Sequence, residues 1–481
     1  MTPAKPSLTA AKVVPQGKKA TTSRESSAPP RKRASTPKPA FTYSDLFAGI
    51  GGFHAVASAM GGECVYAVEI DEDAAKIYEQ NWGMNPLGDV TKDANDDGVS
   101  VKKHDILFAG FPCQPFSKSG AQLGMEETRG TLYYNILKII QTCEPSVVIL
   151  ENVRNLVGPR HDHEWKVIKA TLRAEGYRLS DEAAVFSPHL MPKSMGGRPQ
   201  VRERVFITAT RLPEGYSEED LVADPVARPR PVPGWDPSRW QLAKDLPLSP
   251  NHHAPGCDLS PSEYLWINAW DEFVTNMLEI REGQQLPGHP LWVDSWVYPD
   301  DLDEDELALE PAWKRNFLRK NADFYGEYAE VFLDAWIEKW KVRTDAFPPS
   351  RRKLEWQAQD TPSLWECVMH MRPSGIRAKK PTYVPALVAI TQTSIIGPRE
   401  RRLSPREAAR LQGLPEWFTF DGQSPAATYR QLGNGVSVGA VWHILRAHCA
   451  RDEKYLKKTA PRLLKAVLGA PESPDVALKQ R

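Results

Sequence analysis

Short apolar segments alternate with helical stretches from residue 41 to about residue 210, and this alternation most limits the possible folds. Strands separated by helices favour parallel pairing, because each connection crosses a face of the sheet. The pattern predicts an α/β fold with a doubly wound, mostly parallel, Rossmann-like sheet. The candidate strands are Thr42–Phe47, Cys64–Glu69, Asp105–Ala109, Val147–Glu151 and Arg204–Thr210, and candidate helices include Thr131–Thr142 and Val438–Cys449.

Residues 211–395 have a different composition and predict a second, smaller domain. Eleven of the chain's fifteen tryptophans lie between Trp235 and Trp365. Apolar residues recur there at helical spacing, which predicts two helices that bury them. These residues are Trp266, Trp270, Phe273 and Met277 in the first helix and Phe324, Tyr328, Val331 and Ala335 in the second. We expect most of the tryptophans in the core; a minority that stacks on nucleic acid is the alternative.

Bulk properties narrow the class of protein. A chain of 481 residues is too long for one compact core, so two or more domains are expected. It has no run of eighteen apolar residues and no apolar segment near residue 1, so neither a membrane span nor a secretory signal is expected. Six scattered cysteines without a Cys-x-x-Cys pair argue against a metal site and favour free thiols in a reducing cytoplasm.

A glycine-rich turn follows the first candidate strand and leads into a helix. It contains Phe47, Gly49 and Gly51, and glycines at such a turn let a ligand approach the backbone closely. Glu69 ends the next strand, where an acid suits a ribose diol, and Asp89 follows as a candidate contact to an adenine amino group. Each residue alone is equally consistent with a turn, a cap or a surface acid. Their order and spacing predict a cofactor that carries a nucleoside.

A lone thiol, Cys113, lies between two prolines directly after an apolar strand. Reacting groups in α/β folds lie at the C-terminal ends of strands. Glu151 ends the neighbouring candidate strand and would form a nucleophile and acid pair with Cys113, with a helix cap as the alternative. Arg202 and Arg204 would share one face of the following strand, and a surface ion-pair ladder is the alternative. Asn434, in a Gly-Asn-Gly turn before a helix, is either a site residue or a cap.

This ordered set resembles the motifs of the cytosine-C5 DNA methyltransferase family, and in particular prokaryotic modification enzymes. The resemblance covers residues 41–210 and about 396–450. The matching segments are the Asp45 glycine loop, Glu69, Asp89, Pro112-Cys113-Gln114, Glu151-Asn152-Val153, Gln200-x-Arg202-x-Arg204, Arg406 to Gly413 and Gly433-Asn434-Gly435. It implies an S-adenosyl-L-methionine-binding catalytic domain at 41–210, a target-recognition domain at 211–427, a return segment at 428–450 and a C-terminal extension at 451–481.

The resemblance also implies a mechanism. Cys113 would add to C6 of a flipped-out cytosine in a specific duplex sequence, so that C5 can accept a methyl group. Glu151 would contact the cytosine, and Arg204, supported by Arg202, would hold the base. The cofactor would contact Phe47, Gly49, Gly51, Glu69, Ile70, Asp89, Pro112 and Asn434. Gln114, Ser117 and Arg406 would contact DNA.

Two alternative functions are consistent with the same family resemblance. RNA methyltransferases of the family carry a Cys-Phe-Thr signature, which Cys257 and Cys367 lack. A silent DNA-binding relative is disfavoured because every catalytic position is filled. We expect a monomer in the cytoplasm, associated with the nucleoid, whose target site is shared by a restriction endonuclease that need not bind it.

The net charge of zero hides an uneven distribution. Residues 1–40 contain nine Lys or Arg against one Glu, which predicts a disordered basic tail that contacts phosphate groups; a nuclear address at residues 30–33 is the alternative. The acidic run at residues 300–306 predicts a face that avoids DNA. Residues 399–410 hold five arginines against two glutamates and predict an edge that contacts phosphates, with a solvated helix face as the alternative.

Overall fold

The computed structural model describes residues 38–112, 131–249, 254–387 and 393–479. In these ranges the strands are β1 (Phe41–Leu46), β2 (Gly62–Val68), β3 (Ala94–Asn95), β4 (Gly98–Val99), β5 (Ile106–Gly110), β6 (Val147–Val153), β7 (Tyr177–Ser180), β8 (Ala184–Phe186), β9 (Arg204–Arg211), β10 (Val222–Ala223), β11 (Leu291–Trp292), β12 (Lys353–Gln357), β13 (Val368–Arg372), β14 (Gly375–Lys379), β15 (Ile395–Ile396) and β16 (Arg401–Arg402).

The α-helices of the described ranges alternate with these strands in the first half of the chain and dominate its end. They are Gly52–Ala59, Glu72–Trp82, Val90–Asp93, Leu132–Cys143, Asp162–Ala174, Leu242–Asp245, Pro261–Ile280, Glu304–Leu309, Ala312–Tyr328, Asp334–Trp340, Pro405–Gln412, Pro425–Asn434, Val438–Arg451, Glu453–Thr459, Pro461–Gly469 and Pro474–Leu478. In the described part of the chain, none of them is both long and apolar enough to cross a membrane.

The first sheet confirms the predicted α/β class and is mostly parallel at its centre. Its order is β10-β7-β9-β6-β5-β1-β2, with β8 paired to β9. The strands β2, β1, β5 and β6 pair in parallel. β9 differs, because it runs antiparallel to β6, β7 and β8. The carboxyl ends of β1, β2, β5 and β6 therefore lie at one edge of the sheet, where ligands of such folds bind.

Alternate side chains of the central strands enter two separate cores, one on each face of this sheet. Ile106 and Phe108 of β5 pack in a first core together with helix Gly52–Ala59 and helix Val438–Arg451. Leu107 and Ala109 of the same strand pack in another core with helices Leu132–Cys143 and Asp162–Ala174. Since successive side chains of a strand point to opposite faces, this apolar strand is covered on both sides, as expected for a doubly wound sheet.

The second sheet belongs to a separate core, which contains most of the tryptophan-rich region. Its order is β11-β12-β14-β13-β15-β16. Helix Pro261–Ile280 begins with a capping box between Ser260 and Glu263 and buries Trp270, Phe273 and Met277 against this sheet. Trp240, Trp270, Trp296 and Trp336 are fully buried, as expected for core residues.

The second predicted apolar stripe is wrong after its first two positions. Phe324 and Tyr328 are buried, but Val331 is 67% exposed and Ala335 is also exposed. The reason is a π-helical segment, Ala329–Leu333, between helices Ala312–Tyr328 and Asp334–Trp340. A π-turn takes up more residues than an α-turn, so the buried face shifts and passes to Leu333 and Trp336 instead.

The buried carboxylate of Glu407 contacts both segments in which the chain passes from one core to the other. Glu407 and Arg401 form a fully buried ion pair, with 2.8 Å between Nη2 and Oε1. The same carboxylate accepts hydrogen bonds from the backbone N–H of Ser249, on the way out of the first core, and of Ser404, on the way back. From Leu403 onward the apolar side chains again pack in the first core, up to Leu478.

Candidate active site

A cavity of about 510 Å³ lies at the edge where the central parallel strands end. Its wall is formed by the turn after β1, the ends of β2, β5 and β6, the start of β9 and the end of helix Pro425–Asn434. Several predicted site residues line this cavity although they are far apart in sequence. They are Phe47, Gly49, Glu69, Pro112, Glu151, Arg204 and Asn434.

The glycine-rich turn has a left-handed backbone at both ends. Phe47 has φ 56°, which is uncommon for a residue with a side chain and costs about 1–3 kcal/mol, a kind of strain concentrated at functional sites. Gly51 has φ 89°, and a Cβ atom there would lie 2.1 Å from the indole Nε1 of Trp82. Gly51 therefore makes the turn possible by close packing and does not itself line the cavity.

Glu69 holds the glycine turn and the next helix in place. Its Oε2 accepts a hydrogen bond from the Gly49 N–H at 2.7 Å, and its Oε1 accepts one from the Asp71 N–H at 2.8 Å. Both oxygens keep a further lone pair, so the carboxylate can still accept hydroxyl groups. Asp71 also caps helix Glu72–Trp82 by accepting from Ala74.

Two other predicted cofactor residues do not line the cavity. Ile70 is 72% exposed. Asp89 caps the short helix Val90–Asp93, and hydrogen bonds from the Thr91 hydroxyl and backbone N–H lower the pKa of its carboxyl group.

Phe111 and Pro112 carry the chain from β5 into the predicted nucleophile loop. Cys113, Gln114 and Ser117 lie outside the described residues. The start of the loop is fixed by the buried side chain of Asn152, whose Nδ2 donates to the Phe111 carbonyl oxygen at 2.9 Å. The end of β6 therefore positions the chain just before Cys113.

Glu151 and Arg204 form an ion pair at the cavity wall, with 3.0 Å between the Arg204 Nε and Glu151 Oε1. The pairing follows from the sheet, since β6 and β9 are antiparallel neighbours. Burial raises the pKa of Glu151, although Arg204 and Arg202 both oppose the shift. Burial therefore makes this carboxyl group easier to protonate than an exposed glutamate, while Arg204 and Arg202 favour its charged form.

Arg202 occupies a different position from the predicted one. β9 begins at Arg204, so Arg202 precedes the strand and the two arginines do not share a strand face. Its buried guanidinium donates to three backbone carbonyls, those of Gly433 at 2.7 Å, Gly435 at 2.6 Å and Leu387 at 3.0 Å. Arg202 thereby holds the two glycines on either side of Asn434.

Asn434 is the last residue of helix Pro425–Asn434, and the next helix begins after Ser437. Its exposed side chain lines the cavity. One helical turn earlier, Arg430 also lines the cavity, and its guanidinium lies 3.6 Å from Asp71 and 3.4 Å from Asp73. Neither Arg430 nor Asn152 was selected from the sequence as a site residue; their position on neighbouring walls becomes visible only in the fold.

The arginine-rich segment at 399–410 is largely engaged within the protein. Arg406 does not line the cavity; its guanidinium donates to the backbone carbonyls of Phe418 and Pro415 and stacks over Phe420. Arg401 is paired with Glu407, Arg402 with Glu263 and Arg410 with Glu416.

The other thiols are poor candidates for a nucleophile. Cys64, Cys143, Cys257, Cys367 and Cys449 are free, and burial raises the pKa of each of them. For Cys64 and Cys367 the pKa rises to about 12. Since the thiolate is the reactive form, a raised pKa makes each of these thiols a weaker nucleophile at neutral pH than an unperturbed cysteine. Among the described residues no cluster of three metal-ligating side chains is present.

Known proteins resemble this chain to different degrees. Residues 41–450 match the family model of the C-5 cytosine-specific DNA methylases. The chain is 49% identical over 513 aligned positions to the type II methyltransferase M.AluI of Cellulosimicrobium cellulans, covering 91% of this chain and 97% of that protein. It is 42% identical to M.HpaII of Haemophilus parainfluenzae, covering 83% and 87%. The solved structure of the S. pombe Dnmt2 methyltransferase is similar with a TM-score of 0.40 at 16% identity, covering 85% and 98%.

Proposed function

This chain belongs to the C-5 cytosine-specific DNA methylase family, and we propose that the cavity described above is where it methylates a flipped-out cytosine through an adduct with Cys113. It is a DNA (cytosine-5-)-methyltransferase that transfers the methyl group of S-adenosyl-L-methionine to C5 of cytosine. The observation that carries the site assignment is the meeting of Glu69, Pro112, Glu151 and Arg204 at one cavity.

The residues at the β1 and β2 ends fit the cofactor. The Glu69 carboxylate suits the ribose diol, and the strained Phe47 presents an aromatic ring beside the turn. Asn434 and Arg430 line the same cavity. When bound, S-adenosyl-L-methionine supplies an electrophilic methyl group on its sulfonium. Cofactor contacts by Asp89 and Ile70 remain proposals, and neither residue lines the cavity.

The nucleophile that we propose is Cys113. Its thiolate adds to C6 of cytosine, and the electron pair of the C5–C6 bond becomes available at C5. C5 then accepts the methyl group, loses its proton, and the returning electron pair expels the thiolate. Asn152 contributes by fixing the Phe111 carbonyl at the base of the loop.

Glu151 and Arg204 act on the base in this proposal. The raised pKa of Glu151 favours a proton that can be shared with N3 as negative charge develops on the ring. Arg204 places a positive charge beside the same carboxyl group and stabilises that developing charge. Because the base is unreachable in a duplex, it must first be flipped out, at a cost of a few kcal/mol.

The double-stranded substrate is read, in this proposal, by the domain that contains the second sheet. The packing of Leu403 to Leu478 in the first core supports a return to the catalytic domain near residue 403, earlier than the boundary at 428 expected from the sequence. We further propose a monomer acting in the cytoplasm at the nucleoid, on a site shared with a restriction endonuclease.

Bisulfite sequencing of DNA from cells that express the chain tests the function and reveals the methylated site. The covalent step is tested with duplexes that contain 5-fluorocytosine, since fluorine cannot leave as a cation. The wild-type protein should form a denaturation-resistant adduct, and Cys113→Ser should form none and transfer no methyl group while still binding the cofactor. Comparable turnover by the serine variant would remove Cys113 from the mechanism.

A further inference from the structure

One face of the second sheet carries several cationic side chains close together. Side chains alternate along a strand, so Val368, His370 and Arg372 of β13 point to one face. In the neighbouring β14, Arg377 pairs with His370 and Lys379 with Val368, and both lie on the same face. The opposite face is apolar and packs into the second core, through Met369, Met371, Ile376 and Ala378.

This face turns toward the catalytic domain. Val368 and its neighbour Ile396 on β15 belong to the first core, unlike the residues that alternate with them. The chain that leaves β14 after Lys379 then pairs with residues beside β9, where the Val201 N–H donates to the Val384 carbonyl at 2.9 Å. Three residues later, Leu387 lines the catalytic cavity. The cationic side chains therefore begin where the second sheet meets the catalytic domain, close to the catalytic cavity.

The charges on this face are unbalanced. Glu355 of β12 accepts from Arg372 and from Arg377, whose Nε lies 2.8 Å from Oε2. Lys379 has no ion-pair partner among the described residues. Burial and the two arginines lower the pKa of Lys379. Burial and the same cations, joined by Arg402, lower the pKa of His370 to about 4. Two arginines thus share one carboxylate and Lys379 has no such partner, and a polyanion would relieve the repulsion among the three cations.

We propose that this face reads bases of the target duplex, with Arg372 and Arg377 as specificity-determining residues and Glu355 as their positioning residue. The inference rests on the proposed function and adds the residues that recognise the substrate. A carboxylate weakens attraction to phosphate, so Glu355 would be unfavourable in a simple phosphate contact. It does fix the direction of two guanidinium groups, and a fixed guanidinium fork suits the O6 and N7 acceptors of guanine.

The test compares three variants of the full chain on a library of duplexes randomised around the methylated site. Arg377→Lys keeps the charge and removes the fork, and Glu355→Gln keeps the size and removes the charge. Arg319→Ala is the control, since Arg319 is another arginine of this domain but is exposed and paired with Glu304 on the acidic surface. Thermal unfolding and cofactor affinity establish that each variant is folded.

We expect Arg377→Lys to lower kcat/KM for the wild-type site about 10- to 100-fold and to relax the preference at one base position. Glu355→Gln should relax the same position, and Arg319→Ala should change neither. An unchanged site profile for Arg377→Lys overturns the proposal. So does tighter binding of all duplexes by Glu355→Gln with an unchanged profile, because that result indicates phosphate contact. Failure of the proposed function is distinct, since the wild-type protein would then methylate no duplex.

Discussion

Arg202 donates a hydrogen bond from Nη2 to the backbone carbonyl of Gly433 over 2.7 Å, although 231 residues separate them in the sequence. The bond joins the start of β9, where Arg204 lines the cavity, to the wall that contains Asn434. Burial, with Arg204 nearby, lowers the pKa of Arg202 to about 9, which leaves it charged at neutral pH. The charge makes its bonds to the carbonyls stronger than neutral ones.

Arg202→Lys should therefore weaken cofactor binding more than it slows the chemical step. A lysine cannot reach the three carbonyls together, so the Gly433–Gly435 turn loses its support. We expect the Kd of the cofactor to rise at least about tenfold, since bonds from a charged group contribute about 1.5–3 kcal/mol each. Calorimetric titration measures it. Arg204→Lys is the matched control and should mainly lower kcat; equal cofactor affinity in wild type and Arg202→Lys would contradict a positioning role.

Glu151→Gln should change the pH profile of methyl transfer as well as its rate. Burial raises the pKa of Glu151, so in the proposed mechanism the proton shared with the base would be lost only as pH rises through that raised value. The wild-type rate should fall on this alkaline side, and Gln should lower the rate about 10²- to 10⁴-fold and abolish this limb. Single-turnover rates across pH provide the measurement. Glu203→Gln, next to the site but paired with Arg154, should keep the wild-type profile.

Asp45→Asn should raise the free energy of unfolding at neutral pH. Asp45 is fully buried, and burial raises its pKa well above the ordinary value near 3.8. An acid with a raised folded pKa stabilises the fold below its unfolded pKa and loses that contribution as pH rises through the folded pKa. We expect a gain in the free energy of unfolding at pH 7 that shrinks as the pH falls toward 4.

Denaturant unfolding of the cofactor-free protein at several pH values checks the Asp45 prediction. Asp105→Asn is the comparison, because Asp105 lies beside the same strand but accepts hydrogen bonds from the backbone N–H and hydroxyl of Thr42. That variant should lose stability at neutral pH. If Asp45→Asn lowers the free energy of unfolding as much as Asp105→Asn does, the buried carboxylate of Asp45 is stabilised by hydrogen bonds in the fold.

His448 should make the fold sensitive to mild acid. Its Nδ1 accepts from Arg451 and its Nε2 lies 2.9 Å from the Thr210 hydroxyl, which itself donates to Asp452. Burial lowers the pKa of His448 to about 3. The stability that this neutral imidazole contributes is complete above pH 6.5 and is lost as pH falls from there toward 3. His448→Gln should flatten the dependence of unfolding free energy on pH in that window. If the slope does not change, groups other than His448 cause the pH dependence.

The sequence was sufficient to predict those secondary-structure elements and site residues that the neighbouring residues in the chain mark. Glu69 and Glu151 end apolar strands, and in a parallel sheet such ends must share an edge, so their meeting at the cavity was predictable. Asn152 has only its place in the Glu151-Asn152-Val153 motif as a signal and Arg430 has none, because their roles depend on Phe111 and Asp71, which the fold brings close.

Two other differences have the same kind of cause. The charge count of the arginine-rich segment predicts a phosphate-contacting edge, and it does not reveal that these arginines have protein partners such as Glu263 on a distant helix. The stripe through Val331 failed because helical spacing assumes α-geometry, and nothing in the residue pattern marks the π-helical segment Ala329–Leu333.

The carboxylate of Glu407 has a practical consequence for engineering new target sites. Both crossings between the cores depend on it, through Ser249 on one side and Arg401 on the other. A recognition cassette excised at residues 211 and 395 would cut inside the first core, where Leu242 and Leu246 are packed. A graft that replaces residues 254–380 leaves Ser249, Arg401 and Glu407 in the host, together with Val384 and Leu387 of the first core, so we expect it to give folded chimaeras with an altered methylated site, whereas the longer exchange should yield insoluble protein.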